Sequence, residues 1–112
     1  MTRYLISFDD GAMTFPEADL PDVAKAARAV VDQAVDAGVW VFGGGLHSRE
    51  EVSVVATDGT VTDGPYPDAI GGMSIVDVPS REEALEWAAK IAVACRCAQE
   101  VREFGPDSAV GN

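Results

Sequence analysis

Val61-Thr62-Asp63-Gly64-Pro65-Tyr66, followed a few residues later by Gly71-Gly72, is the stretch around which this chain is organised. It lies between two segments of strand character. Its Gly-Pro step forces a turn that other residues resist, because glycine tolerates unusual backbone angles and proline fixes its own. A carboxylate at Asp63, beside a residue without a side chain and one with a locked φ, is placed rather than floppy. The double glycine reads as the point where this turn closes and the chain heads back inward.

Upstream, the run 52–57 pairs with Thr60-Val61-Thr62 through Asp58-Gly59, and Asp-Gly between β-branched runs is a strong hairpin signal. Downstream, Met73-Ser74-Ile75-Val76-Asp77-Val78 is a strand. Ser80 and Glu83 then form a capping box for a helix whose apolar positions are Ala84, Leu85, Ala88, Ile91, Ala92 and Cys95, with Trp87 off that stripe. A last strand spans 99–104, before a polar tail over 105–112 that need not be ordered.

Further upstream, Val39-Trp40-Val41-Phe42 is apolar on both sides and reads as a strand lying between a helix and other cover. Gly43-Gly44-Gly45 lets the backbone bend or approach a neighbour closely, and no G-x-G-x-x-G helix start follows that would mark a dinucleotide site. The helix before it begins near Pro21, carries Val23, Ala26, Ala27, Val30, Val31, Ala34 and Val35 on one stripe and Lys25, Arg28, Asp32 and Asp36 on the other, and stops at Gly38. The first strand, 3–8, places Tyr4, Ile6 and Phe8 on one face and is apolar enough on both to be central. Met13 and Phe15, in the loop after it, either cover a pocket or pack over one end of the core.

The order strand, helix, strand, hairpin, strand, helix, strand defines an α+β domain with both helices on one sheet face. Tyr4, Val41, Val54 and Ile75 would leave the other face apolar, and an exposed face of that kind calls for a partner, so a homodimer is expected. At 112 residues the chain makes one domain, 1–104 plus the tail, burying roughly 65% of its unfolded surface.

The Asp63-Gly64-Pro65-Tyr66 turn, the glycines Gly43-Gly44-Gly45 before it and the helix opening Ser80-Arg81-Glu82-Glu83 after it resemble the DGPF proteins of the YCII-related superfamily, from Arg3 to about Phe104. The resemblance implies a ferredoxin-like sandwich whose two copies join their sheets into a dimeric α/β barrel, with a cleft in each subunit. It also implies an association with a sigma factor, since DGPF proteins are often encoded beside sigma factors of the extracytoplasmic-function class. A histidine-aspartate pair has been proposed as the active site of the superfamily. Here Asp63 carries over by motif, whereas His47, the sole histidine, is joined to it by expected proximity. The departures are two: the histidine of the parent branch lies elsewhere in the chain, and only Pro67-Asp68-Ala69-Ile70 separates the aromatic residue from the double glycine.

If Asp63 accepts from His47, the carboxylate fixes the imidazole tautomer and leaves the other nitrogen as a base near neutral pH. The alternatives are a turn-capping Asp63 and a solvent-facing His47. A ligand pocket is expected from Phe8, Met13, Gly44, Gly45, Leu46, Gly64, Pro65 and Tyr66. Two functions follow: a dimeric binding or accessory protein for a small organic ligand, or a proton-transfer enzyme (isomerase, lyase or dehalogenase-like) using His47 and Asp63.

A formal net charge of −11 with 8 basic residues disfavours direct nucleic-acid contact. Cys95 and Cys97 match neither a C-x-x-C redox motif nor a pair of zinc-ligand pairs, so they read as structural thiols; no metal and no cofactor are expected. With no basic leader and no apolar run near 20 residues, a cytoplasmic protein away from the membrane is expected.

Overall fold

The computed structural model describes residues 1–46, 51–64 and 69–106. Its elements follow in chain order. β1 (Thr2–Asp9) is followed by a single 3-10 turn at Glu17–Asp19 and α1 (Leu20–Asp36). Next come β2 (Trp40–Gly45), β3 (Ser53–Val55), β4 (Val61–Asp63) and β5 (Ile70–Val78). The chain closes with α2 (Arg81–Cys95) and β6 (Glu100–Glu103). Four strands form one antiparallel sheet in the order β2-β5-β1-β6, while β3 and β4 pair with each other as a separate ribbon. The fold is mixed, with an antiparallel sheet, two helices and open sheet edges at β2 and β6.

Period-two alternation decides which side chains meet the helices. Tyr4 and Ile6 of β1, with Val76 and Val78 of β5, pack against Ala34 of α1 and Ala84, Ala88 and Ile91 of α2, so both helices lie on one face. Ile6, Val76 and Val78 are completely buried, each contributing on the order of 1.5–3 kcal/mol. Tyr4 therefore belongs to the helix side and not to the open face where it was expected, because it shares the parity of Ile6. Val54 sits in the separate ribbon. The open face instead carries Leu5 opposite Ile75, with Phe42 beside them.

The strand containing Trp40, expected to lie between a helix and other cover, is a sheet edge that among the described residues pairs only with β5, and its Phe42 is 61% exposed. The double glycine also differs from its sequence reading. β5 already begins at Ile70, so Gly71 and Gly72 lie within the strand. A Cβ on Gly72 would stand 2.6 Å from Cζ of Phe8, and one on Gly43 would stand 2.6 Å from the Trp40 ring. Both glycines leave room for an aromatic ring lying across the backbone, which is why the strand tolerates them.

The helix ends follow their local signals. Gly38, at φ 74°, closes α1 as the Gly38 N–H bonds Val35 O at 3.0 Å and the Val39 N–H bonds Ala34 O at 3.1 Å. Ser80 Oγ accepts from the Glu83 N–H at 3.2 Å at the start of α2. α2 ends on Arg96, left-handed at φ 58°, whose guanidinium reaches back to Asp19 Oδ2 at 2.7 Å and ties the end of α2 to the start of α1. Trp87, expected off the buried stripe, packs against the core with Lys90 over its ring.

The Asp58-Gly59 hairpin forms, with Val55 opposite Val61 and Ser53 opposite Asp63. Asp58 Oδ1 accepts from the Thr60 N–H at 2.9 Å, and hydrogen bonds from the Thr60 side chain and backbone hold its carboxyl below the usual aspartate range.

Candidate functional site

The helix-side positions of the sheet change character along its length. At one end they are Tyr4, Ile6, Val76 and Trp40. At the other, Gly43 stands opposite Ser74 and Gly45 opposite Gly72. Three glycines and a serine cannot reach the helices, and a cavity of about 500 Å³ opens between this end of the sheet and the facing parts of α1 and α2. Phe8, Trp40 and Met13 wall it from the sheet and the first loop; Ala27, Val30 and Val31 of α1 and Ile91, Ala94 and Cys95 of α2 close it from above. A broader, shallower groove runs along the outside between the two helices past Ala26, Ala29, Ala89 and Val93.

Few polar groups enter the cavity: Arg28, Ser74, Cys95 and Gln99. Burial pushes the Cys95 thiol up, with Cys97 adding to the effect, so Cys95 is protonated at neutral pH and is a wall rather than a nucleophile. Cys97 is also pushed up by burial, partly offset by its hydrogen bond with Gln99, whose Nε2 donates to Cys97 Sγ at 3.5 Å and to Cys97 O at 3.4 Å. Arg28 stands at the mouth, its Nε 3.5 Å from Asp32 Oδ1 in an exposed i,i+4 pair. Among the described residues no group of three or more His, Cys, Asp or Glu could hold a metal ion, and no helix is long and apolar enough to cross a membrane.

Of the pocket residues expected from sequence, Phe8, Met13, Gly44 and Gly45 line this cavity. Leu46 is exposed just past β2, its N–H bonded to Gly71 O at 2.8 Å. Gly64 lies against the ribbon, where its N–H bonds Val52 O at 2.8 Å. Asp63 is exposed at the end of β4 and is not part of the cavity wall. His47, Pro65 and Tyr66 lie outside the described residues, so the structure says nothing of a His47–Asp63 pair. Sequence reasoning missed Trp40, Ser74, Cys95, Gln99 and Arg28 as wall residues. A signal existed for the first two: small residues opposite each other on adjacent strands leave a hole that a neighbouring large ring borders.

The chain is an α+β domain with a partly open, mainly apolar cavity under its helices. The chain belongs to the YCII-related domain family, whose model matches residues 4–104. A similar solved structure is 5-chloro-2-hydroxyhydroquinone dehydrochlorinase from Burkholderia phenoliruptrix AC1100, in complex with 2,5-dihydroxybenzoquinone. It has 17% sequence identity and a TM-score of 0.54, covering 92% of this chain and 93% of that one. At that identity the likeness concerns the fold. Among curated proteins none matches this chain.

Proposed function

We propose that this protein is a small-molecule-binding member of the YCII-related family whose ligand, a compact and largely apolar ring compound, occupies the cavity beneath α1 and α2. One observation carries this reading: a cavity of about 500 Å³ walled mainly by apolar and aromatic groups, with a few converging polar atoms. Ligand sites typically have that size and composition. The test uses Trp40, which walls the cavity, while Trp87 packs elsewhere on the core. In Trp87→Phe protein, titration with 2,5-dihydroxybenzoquinone and other planar ring compounds should change Trp40 fluorescence saturably, and Val31→Phe should abolish the change. No saturable response to any of them, or the same response in Val31→Phe, removes the proposal.

The strand order is that of a split βαβ, ferredoxin-like sandwich, and a second copy is proposed to cover the open sheet face through the exposed Phe42 and the part-buried Leu5, beside the buried Ile75. Sedimentation should give about twice the 11.7 kDa chain mass, and Phe42→Asp should give the monomer.

A second reading is a proton-transfer enzyme using His47 and Asp63, favoured by the dehydrochlorinase activity named for the structural neighbour. Under it, Asp63→Asn removes an opposite charge and lowers the histidine pKa. An unchanged histidine titration by proton NMR in folded Asp63→Asn protein rejects the pair.

A further inference from the structure

Arg28 is the one charged side chain among the described residues that line the cavity, in a chain of net charge −11. The remaining described walls are apolar, glycine, a hydroxyl, a carboxamide or a protonated thiol. The guanidinium is at the mouth, on the third turn of α1, with Ala27 and Val31 of the same helix reaching the wall beside it. Among the described residues its partner is the exposed Asp32, at 3.5 Å through Nε, a single-point contact. Exposed i,i+4 pairs of this kind are weak and screened by solvent. A planar guanidinium offers five donors, so most of its hydrogen-bonding capacity is unused by one contact and a bidentate acceptor outcompetes it.

We propose that Arg28 selects the ligand's charge: the cavity takes an aromatic ring carrying one anionic group, a carboxylate or an acidic enolate, with the ring between Phe8 and Trp40 and the anion held at the mouth by Arg28. This rests on the cavity being the binding site. Elsewhere the acidic surface repels an anion, so the discrimination is made at one side chain. Anchoring the charge at the rim also avoids desolvating it in the apolar interior, where an unpaired anion is costly. Asp32 competes with the ligand for the same guanidinium and sets how tightly the anion is held.

The test compares 2-naphthoate with its uncharged isostere 2-naphthamide, by calorimetry on the full chain. The wild type should bind the carboxylate more tightly than the amide, and added salt should narrow the gap. Arg28→Gln should weaken the carboxylate about tenfold, as expected for loss of a charge-assisted hydrogen bond, and weaken the amide far less. Asp32→Asn should strengthen the carboxylate about twofold, by removing the competitor. Both substitutions are on the exposed side of α1, and circular dichroism checks that the fold is kept. Equal binding of acid and amide by the wild type, or a preference that survives Arg28→Gln, overturns the charge selection while leaving the cavity as the binding site. Binding of neither compound overturns the cavity reading and this inference with it.

Discussion

The two ends of the same sheet are built from the same four strands and covered by the same two helices, yet one is solid and the other hollow. At the solid end Tyr4, Ile6, Val76 and Val78 fill the space below Ala34, Ala84 and Ala88. At the hollow end Gly43, Gly45, Gly72 and Ser74 stand where those side chains would be, and Phe8, Met13 and Val31 are among the residues that wall the space. Small residues are used at both ends, but alanines facing large sheet residues interlock, whereas Gly43 and Gly72 are crossed by the Trp40 and Phe8 rings, and the cavity lies between those rings and Ala27, Val30 and Val31. Stability falls to one half of the core, and the proposed binding to the other.

The largest effect should come from hollowing the solid end. Ile6→Ala removes a completely buried side chain and should destabilise by about 3–4 kcal/mol, read as a lower denaturant midpoint at unchanged slope. A loss below about 1 kcal/mol would mean the two ends are not so different. Next is Gly43→Ala, whose new methyl would meet the Trp40 ring at 2.6 Å and the Met73 carbonyl at 2.8 Å. Displacing backbone as well as a ring should cost about 2 kcal/mol. Gly44→Ala, with nothing within 4 Å of the added carbon, should stay within about 0.5 kcal/mol of the wild type and supplies the control.

Filling the hollow end should act with the opposite sign. Val31→Phe extends a wall residue into the cavity and should stabilise by about 0.5–1 kcal/mol while eliminating ring-compound binding. Destabilisation accompanied by retained binding would show that the space is not there to be filled.

The smallest effect concerns pH at the solid end. Burial, reinforced by the Glu103 charge and by the 3.4 Å hydrogen bond that the Tyr4 hydroxyl donates to Glu103, raises the Tyr4 pKa above the ordinary 10.0. The folded state therefore holds this proton more tightly than the unfolded chain. Its contribution is fully present below pH 10.0 and is lost as the pH rises through the folded-state pKa. Chemical denaturation between neutrality and strongly alkaline pH should show a loss of stability that is smaller in Tyr4→Phe.

Much of this arrangement was legible in the sequence because it depends on local chemistry. Ser80 with Glu83, Gly38 after Val35, and Asp58-Gly59 each act within a few residues; the helix stop and the hairpin form as read, and the capping box forms in its Ser80 half. Face assignment was less legible: parity along β1 ties Tyr4 to Ile6 from the sequence, but only the packed helices show which face they cover. The role of Gly72 was hidden for a related reason. A glycine in a strand and a glycine in a turn have the same letter, and only Phe8, 64 positions away and paired with Gly72 across β1 and β5, distinguishes them. Arg28 read as solvent-facing because a helix rim belongs to both sides. Phe8, Met13, Gly44 and Gly45 surround one space, while His47 and the Pro65-Tyr66 step lie outside the described residues and Asp63 stands apart at the ribbon.

The floor formed by Gly43, Gly44 and Gly45 has no side chains to delete. An alanine scan, which finds a site by taking atoms away, would be blind there: each substitution adds a carbon, and only Gly43 has a close neighbour to object. The genetic signature of such a floor is intolerance of bulk graded by size, from alanine through valine to phenylalanine, with uptake of the proposed ligand lost before the fold is.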